Sequence, residues 1–453
     1  MPNKLAINLE KIFKAYDIRG VYPEEINEET AYLTAKAYAE WLKPKKVALG
    51  RDVRNSGDAL LKEAKRGLIE MGVDVYEIGV ATTDMLSFAV AEFDLDGGII
   101  VTASHNEAKY NGLKIYREKA IPVSSDSGLL EIREIAKNGD FTKCEKEGKS
   151  ENLDFLNKYI QKVLSFIDVE KIKPMKVVVN PNFGAAGKAV DKLAEVLPLE
   201  LVKINYEEDG SFPKGKPDPS SPENRAETVE LVKKSGADFA AIWDADADRC
   251  VFLDENGEYV QGTYMTAIIA EMMLQKNPGC AIVSDISLTW PVIGLVKNAG
   301  GKPVICKVGT SFIIEKMVKE KAVFAGEISG HMYFRDCWNA DNGMIPFLLI
   351  LERLSASGEK LSEIANPLRE KFPNAMGLNF PVSDTDEKIK ELAEAYNDAN
   401  IDYMDGISIE YPGEYRFNVR ASNTEPLLRL HIEGKSQDIV DEKIKEITKL
   451  VEA

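Results

Sequence analysis

The sequence predicts an α/β fold: three similar α/β domains with mixed sheets, followed by a smaller α+β domain. Strand-like apolar runs recur with helical patterning between them, and such alternation argues for sheets with helices layered on their faces. Three runs also open alike, "KVALGRD", "KVVVNPN" and "AIVSDIS", each ending in a polar residue. The length agrees, because 453 residues exceed one core and imply several domains of about 100–150 residues each.

Taken in order, the first domain, 1–150, carries "KVALG", "VDVYEIG" and "GGIIV", and closes in the charged, Gly-bearing stretch "KNGDFTKCEKEGKSEN". The second, 151–255, carries "KVVVN" and "FAAIW" and ends near "DENGEY". The third, 256–370, carries "AIVSDI", "PVICKV" and "AVFAGE" and ends near "REKFPNAMG", boundaries set by turn-forming residues. In 371–453 the pattern changes. "GISIEYPGEYRFNVRASNTEPLLRLHIEG" alternates as antiparallel strands do, and "SQDIVDEKIKEITKLVEA" reads as an amphipathic helix capped by Ser or Asp. "MIPFLLILERL" is the longest apolar run; it falls short of the ~20 residues that span a bilayer and fits a core helix.

Composition narrows the function. The N-terminus lacks the apolar run of a signal peptide, and five scattered cysteines with no C-x-x-C pattern point to a reducing, cytoplasmic compartment. A net charge of -17 argues against nucleic acid or an anionic membrane as partner. An anionic small molecule still fits wherever a loop is locally basic, as around Arg19, Arg249, Lys307, Arg420 and Arg429.

"FAAIWDADADRCVFLDENG" sets Asp244, Asp246 and Asp248 between two apolar runs. Carboxylates this close repel one another unless a cation neutralises them, and an all-oxygen set favours Mg²⁺ over Zn²⁺. An exposed acidic turn is the bland alternative. An EF-hand fails, because position 6 from Asp244 is Arg249 rather than Gly and "CVFLD" reads as a strand. An aspartyl nucleophile, with Arg249 on a phosphate, stays open.

"VTASHNEAKYNGLKIY" places Ser104 in a polar loop after a buried strand. A serine is a weak nucleophile unless a base, metal or phosphoryl group changes it. His105 is its neighbour, but adjacent side chains usually diverge, so a Ser104–His105 pair is not expected. With Lys114 and the acid cluster, Ser104 completes a set suited to phosphoryl transfer. "NVRASNTEPLLRLHIEG" offers Ser422, Asn423 and Thr424 as donors, with Arg420 and Arg429 as forks for phosphate oxygens; Glu425 can only orient them. In "FAGEISGHMYF", Glu327 and Ser329 can bridge two sugar hydroxyls, while His331 is either a ligand or a satisfied core histidine.

Taken together, "YDIRG", "TASHN" with "YNGLK", "DADADR", "GEISGH" and "RASNTEPLLR" resemble, in this order, the α-D-phosphohexomutase family, in its phosphomannomutase/phosphoglucomutase branch. The resemblance runs from about Phe13 to the last helix. It implies four domains around a central active-site cleft, each giving one loop. It implies interconversion of hexose 1-phosphate and hexose 6-phosphate, of mannose or glucose, through a phosphoserine and a hexose 1,6-bisphosphate that also serves as activator. Ser104 would be the phosphoserine and would share Mg²⁺ with Asp244, Asp246 and Asp248. Arg19, Lys114 and Arg249 would line the reaction centre, with Lys114 carrying a proton. Glu327, Ser329, His331 and Lys307 would contact the sugar, and Arg420, Ser422, Asn423, Thr424 and Arg429 the non-reacting phosphate. The protein would act as a monomer or homodimer. A phosphoglucosamine mutase, an Asp-nucleophile phosphatase and a non-catalytic sensor are the rivals. Two departures stand out: Glu107 replaces the usual Pro after "TASHN" and is expected to point away, and Thr310 stands where many members of the branch carry His.

Overall fold

The computed structural model describes residues 8–421 and 427–452. The chain divides into two compact units, one reaching Tyr259 and including Asp336–Gly358, the other comprising Val260–Arg335 and the chain from Glu359 onward.

The first unit holds two mixed sheets. In the seven-stranded one, Lys46–Arg51 lies between Asp74–Val80 and Gly97–Val101, parallel to both, and Tyr110–Arg117 returns antiparallel beside Gly97–Val101. Gly97–Val101 is buried at every position, which is why "GGIIV" reads as a continuous apolar run. Gly97 has a further reason: the Tyr38 hydroxyl donates to the Tyr116 carbonyl at 2.8 Å, and a Cβ at residue 97 would lie 2.1 Å from that oxygen. Ile18–Val21 pairs antiparallel with Tyr110–Arg117 and sets Arg19 opposite Gly112. Helix Glu28–Leu42 is started by a capping box between Asn27 and Thr30.

In the second sheet, Met175–Asn180 lies between Leu199–Lys203 and Phe239–Trp243, parallel to both, and Cys250–Asp254 returns antiparallel. The long apolar run forms helix Met344–Ser357, buried from Met344 to Leu351. Trp243 locks it in place: the indole donates to the Gly343 carbonyl at 2.9 Å, and its ring meets Phe347 edge-on at 5.5 Å.

The second unit holds a third sheet of the same design. Ala281–Asp285 lies between Lys302–Cys306 and Phe324–Gly326, parallel to both, and Met332–Phe334 returns antiparallel. Its other sheet is fully antiparallel, in the order Asn374–Pro381, Leu427–Gly434, Tyr415–Ala421, Ile407–Tyr411, Asn400–Asp402, with helices Thr385–Ala395 and Gln437–Glu452.

The three mixed sheets therefore share one strand order, second–first–third–fourth, with the fourth strand reversed. The three similar sequence openings are the first strand of each. Among the described residues no helix is long and apolar enough to cross a membrane.

Candidate active site

In each mixed sheet the hairpin between the third and fourth strands leaves the carboxyl edge of the parallel strands, where open α/β sheets bind ligands. Those hairpins are 102–109, 244–249 and 327–331, so each repeat delivers one expected loop at the same topological place. The first strand of each repeat ends in, or is followed directly by, an Asp or Asn that braces this edge. Asp52, Asn180 and Asp285 accept the backbone N–H two residues on, from Arg54, Asn182 and Ser287, at 2.9, 2.8 and 2.7 Å. Asp285 also accepts Ile328 N–H of the third hairpin at 2.8 Å.

Ser104 is 2% exposed and has φ +48°. Its hydroxyl donates to Asp244 Oδ2 at 3.0 Å and accepts from Arg249 Nη2 at 3.2 Å. It also lies 3.1 Å from His105 Nδ1, against the expectation that the two side chains diverge. Arg249 Nη2 also contacts His105 Nδ1. Glu107 points away, as expected: it is exposed and paired with Lys109 at 2.9 Å.

The acid cluster is enclosed, which removes the exposed-turn alternative: Asp244 and Asp246 are 0% exposed and Asp248 3%. Cys250–Asp254 is indeed a strand. Each of the three can offer an oxygen within 4.8 Å of the others. Asp246 Oδ2 accepts from Thr83 Oγ1 at 2.6 Å and from Lys114 Nζ at 2.7 Å, and Lys114 also bridges to Asp248. Arg249 Nε lies 3.1 Å from Asp244. Burial, then the Asp248 charge, pushes the Asp244 carboxyl well above its ordinary range, with Arg249 opposing. For Lys114 burial pulls the ammonium down, but Asp246 and Asp248 outweigh it and hold it well above the usual value. Asp246 Oδ1 is buried without a hydrogen-bond partner. That orphan acceptor in an all-oxygen cluster fits a hard divalent cation. Arg19 reaches the serine hairpin from the neighbouring strand, donating to Asn106 Oδ1 at 2.7 Å while paired with Asp17.

In the second unit, Glu327 is 4% exposed and fully engaged. Gly309 N–H donates to Oε1 at 3.1 Å and the Tyr333 hydroxyl to Oε2 at 2.8 Å, and Thr310 Oγ1 stands 3.0 Å from that hydroxyl. Burial works to raise Glu327, but His331, Tyr333 and Gly309 outweigh it and hold the carboxyl below its ordinary value. His331 is partly exposed rather than a core histidine, and Ser329 Oγ lies 2.9 Å from its Nδ1. Lys307 Nζ sits 3.5 Å from the centre of the Phe312 ring. Arg420 and Arg429 face each other across adjacent strands. Arg429 donates to Asn379 Oδ1 at 3.1 Å, and Arg420 Nε is buried without a partner. Ser422, Asn423, Thr424 and Glu425 lie outside the described residues.

Sequence reasoning missed Thr83, Asn106 and the Asp52–Arg54 pair. A charged pair immediately after an apolar strand, in "GRDVRN", was the signal available for the last.

The fold and the first unit's site define an α/β protein that holds a buried serine hydroxyl against a buried carboxylate cluster. Family models match end to end: phosphoglucomutase/phosphomannomutase alpha/beta/alpha domain I at residues 10–143, domain II at 157–257, domain III at 261–372 and the C-terminal domain at 378–450. The chain therefore belongs to the phosphoglucomutase/phosphomannomutase family. It is similar to a phosphomannomutase of Vibrio cholerae, 42% identical over 453 residues and covering 97% of this chain and 98% of the relative. It is also similar to a protein named phosphohexose mutases from Xanthomonas campestris, 42% identical over 442 residues with the same coverage. A solved structure of a family member from Burkholderia thailandensis superposes with a TM-score of 0.87 at 28% identity, covering 98% of each chain.

Proposed function

We propose that this protein interconverts hexose 1-phosphate and hexose 6-phosphate, with mannose or glucose as the sugar, and that Ser104 carries the phosphoryl group. The observation that supports this most directly is Ser104 Oγ, 3.0 Å from Asp244 of the acid cluster and 3.2 Å from the Arg249 guanidinium. In the forward step the bond from the serine oxygen to phosphorus breaks as the bond from the free sugar hydroxyl forms, giving a hexose 1,6-bisphosphate. The proton that the sugar hydroxyl loses is the one that the serine oxygen gains, with Lys114 as carrier. The bisphosphate then turns end over end and returns its other phosphate to Ser104. Asp244, Asp246, Asp248 and the serine phosphate would hold Mg²⁺, which when bound neutralises charge on the transferring group. Arg19 and Arg249 orient the phosphoryl oxygens.

Glu327, Ser329, His331 and Lys307 take the sugar, and Arg420 and Arg429, with Ser422, Asn423 and Thr424, take the phosphate that does not react. Catalysis is then mainly positioning and charge neutralisation. Four domains with boundaries at 150, 255 and 370, a cytoplasmic location, and a monomer or homodimer complete the reading.

Turnover of Ser104→Ala with glucose 1-phosphate and mannose 1-phosphate, plus a trace of the bisphosphate, tests it. Loss of isomer formation is the expected result; near-normal turnover overturns the assignment of Ser104. Stoichiometric release of phosphate by the unsubstituted protein, with no isomer formed, would point to a phosphatase instead.

A further inference from the structure

Ser104 holds a left-handed backbone, φ +48°, which an ordinary residue adopts at an energetic cost and keeps only when its surroundings impose it. The restraint comes from the loop that follows strand Lys46–Arg51. Arg54 has a side chain that is 0% exposed and sends its bonds into the serine hairpin. Nη2 donates to the carbonyls of Ser104 and Asn106, both at 2.7 Å. Nη1 donates to those of Glu107 at 2.8 Å and Tyr110 at 2.9 Å, and Nε to Asp52 Oδ2 at 3.1 Å. A guanidinium has five N–H groups, and here each has an acceptor.

Asp52 closes the arrangement from the other side. Its Oδ2 accepts the Thr102 hydroxyl at 2.7 Å, and Thr102 Oγ1 in turn accepts Ser104 N–H at 2.9 Å. Both backbone groups of Ser104, the N–H through Thr102 and the C=O directly, are thus tied to one buried ion pair. The Phe212 ring covers the guanidinium at 4.9 Å. Gly210 packs so closely on the same segment that a Cβ would come within 2.2 Å of the Val53 carbonyl. Three of the five donors thus go to one eight-residue hairpin and a fourth to Tyr110, where the returning strand begins, a concentration on one loop that general stability does not require.

We propose that Asp52, Arg54 and Thr102 are positioning residues that aim Ser104 Oγ for phosphoryl transfer. This rests on the reading that Ser104 carries the phosphoryl group. Small displacements of a reacting group cost about a hundredfold in rate, so the effect belongs in kcat and in the rate of Ser104 phosphorylation rather than in KM.

The test uses the full chain with ³²P-labelled glucose 1,6-bisphosphate, following label on Ser104, together with kcat and KM for glucose 1-phosphate. Thr102→Val keeps the shape and removes both bonds, Thr102→Ser keeps the hydroxyl, and Arg54→Lys keeps the charge but has three donors. Thr102→Val is expected to lower labelling rate and kcat by about tenfold to a hundredfold with KM within about threefold, and Thr102→Ser to restore most of both. Arg54→Lys is expected to lose more, and if it fails to fold the Thr102 pair decides the matter. The proposal is overturned if Thr102→Val labels and turns over normally, if its defect lies in KM alone, or if Thr102→Ser is as impaired as Thr102→Val. If the unsubstituted protein takes no label on Ser104, the functional reading itself falls and this proposal with it. Label on the unsubstituted protein with an unaffected Thr102→Val overturns the positioning role alone.

Discussion

The hairpin 244–249 and the antiparallel sheet of the second unit concentrate charge of opposite sign and contain it differently. In the hairpin, three buried carboxylates are met by Lys114 and Arg249 from the same unit. On one face of the sheet, Arg416 is met by Glu433 and donates to the Ile286 carbonyl at 2.7 Å, while Glu433 accepts the N–H groups of Thr289 and Trp290 at 2.8 and 2.9 Å. That end of the face is an internal structural pin. The other end sets Arg420 opposite Arg429, a like-charge pairing that costs stability. Beside each cluster, burial and the cluster's charge together shift a titratable group toward its neutral form. Burial chiefly, with Asp248 adding, pushes Asp84 up to about 7, and burial followed by Arg420 and Arg429 pushes His431 down to about 3. The acid cluster is braced by cations of its own unit, whereas Arg420 Nε lies buried without a hydrogen-bond partner.

The strongest way to break this contrast is at the hairpin. Asp246→Ala removes the carboxylate shared by Thr83 and Lys114, and kcat is expected to fall about 10²–10³-fold. Calorimetric titration with Mg²⁺ should lose its signal in the same variant; unchanged Mg²⁺ binding would refute the metal assignment. On the sheet, Arg420→Ala removes a charge-assisted donor, and KM for the sugar phosphate should rise about ten- to a hundredfold. Inorganic phosphate should inhibit that variant less than the parent, and equal inhibition would remove Arg420 from the phosphate site.

The two neutral groups sharpen the contrast through stability. Asp84, which accepts from the Tyr159 hydroxyl at 2.6 Å, has a folded value of about 7 against an ordinary 3.8. The folded state holds the extra proton between those values, so this contribution is full below 3.8 and is lost as pH rises through about 7. Asp84→Asn should flatten that slope and melt higher than the parent above pH 7, a comparison read by scanning calorimetry. His431 has the opposite sign. Its folded value of about 3 lies below the ordinary 6.5, so its contribution is full above 6.5 and is lost as pH falls toward 3. His431→Gln should weaken the acid sensitivity of the second unit, seen as a shallower fall in melting temperature over that range.

Much of this was legible in the sequence because local rules and the fold agree. Three apolar runs ending in a polar residue each became the first strand of a repeat, and the acidic hairpin and long apolar helix stand where pattern and burial require. What escaped depends on contacts distant in the chain. Arg54 bonds carbonyls 50 to 56 residues away, and backbone acceptors leave no mark on side-chain pattern. The Ser104–His105 contact, and the positive φ at Ser104, are features that residue type does not announce. The strand carrying Arg19 pairs with Tyr110–Arg117, a partner that neither alternation nor charge singles out.

The shared strand order has a consequence for how such a protein diversifies. Each hairpin is anchored at both feet in its own sheet, so its few residues can be exchanged while the parallel strands beneath keep their packing. Residues 327–331 can thus change without disturbing the serine hairpin, which stands on a different sheet. Three repeats of one strand order therefore give the chain three separately editable loops.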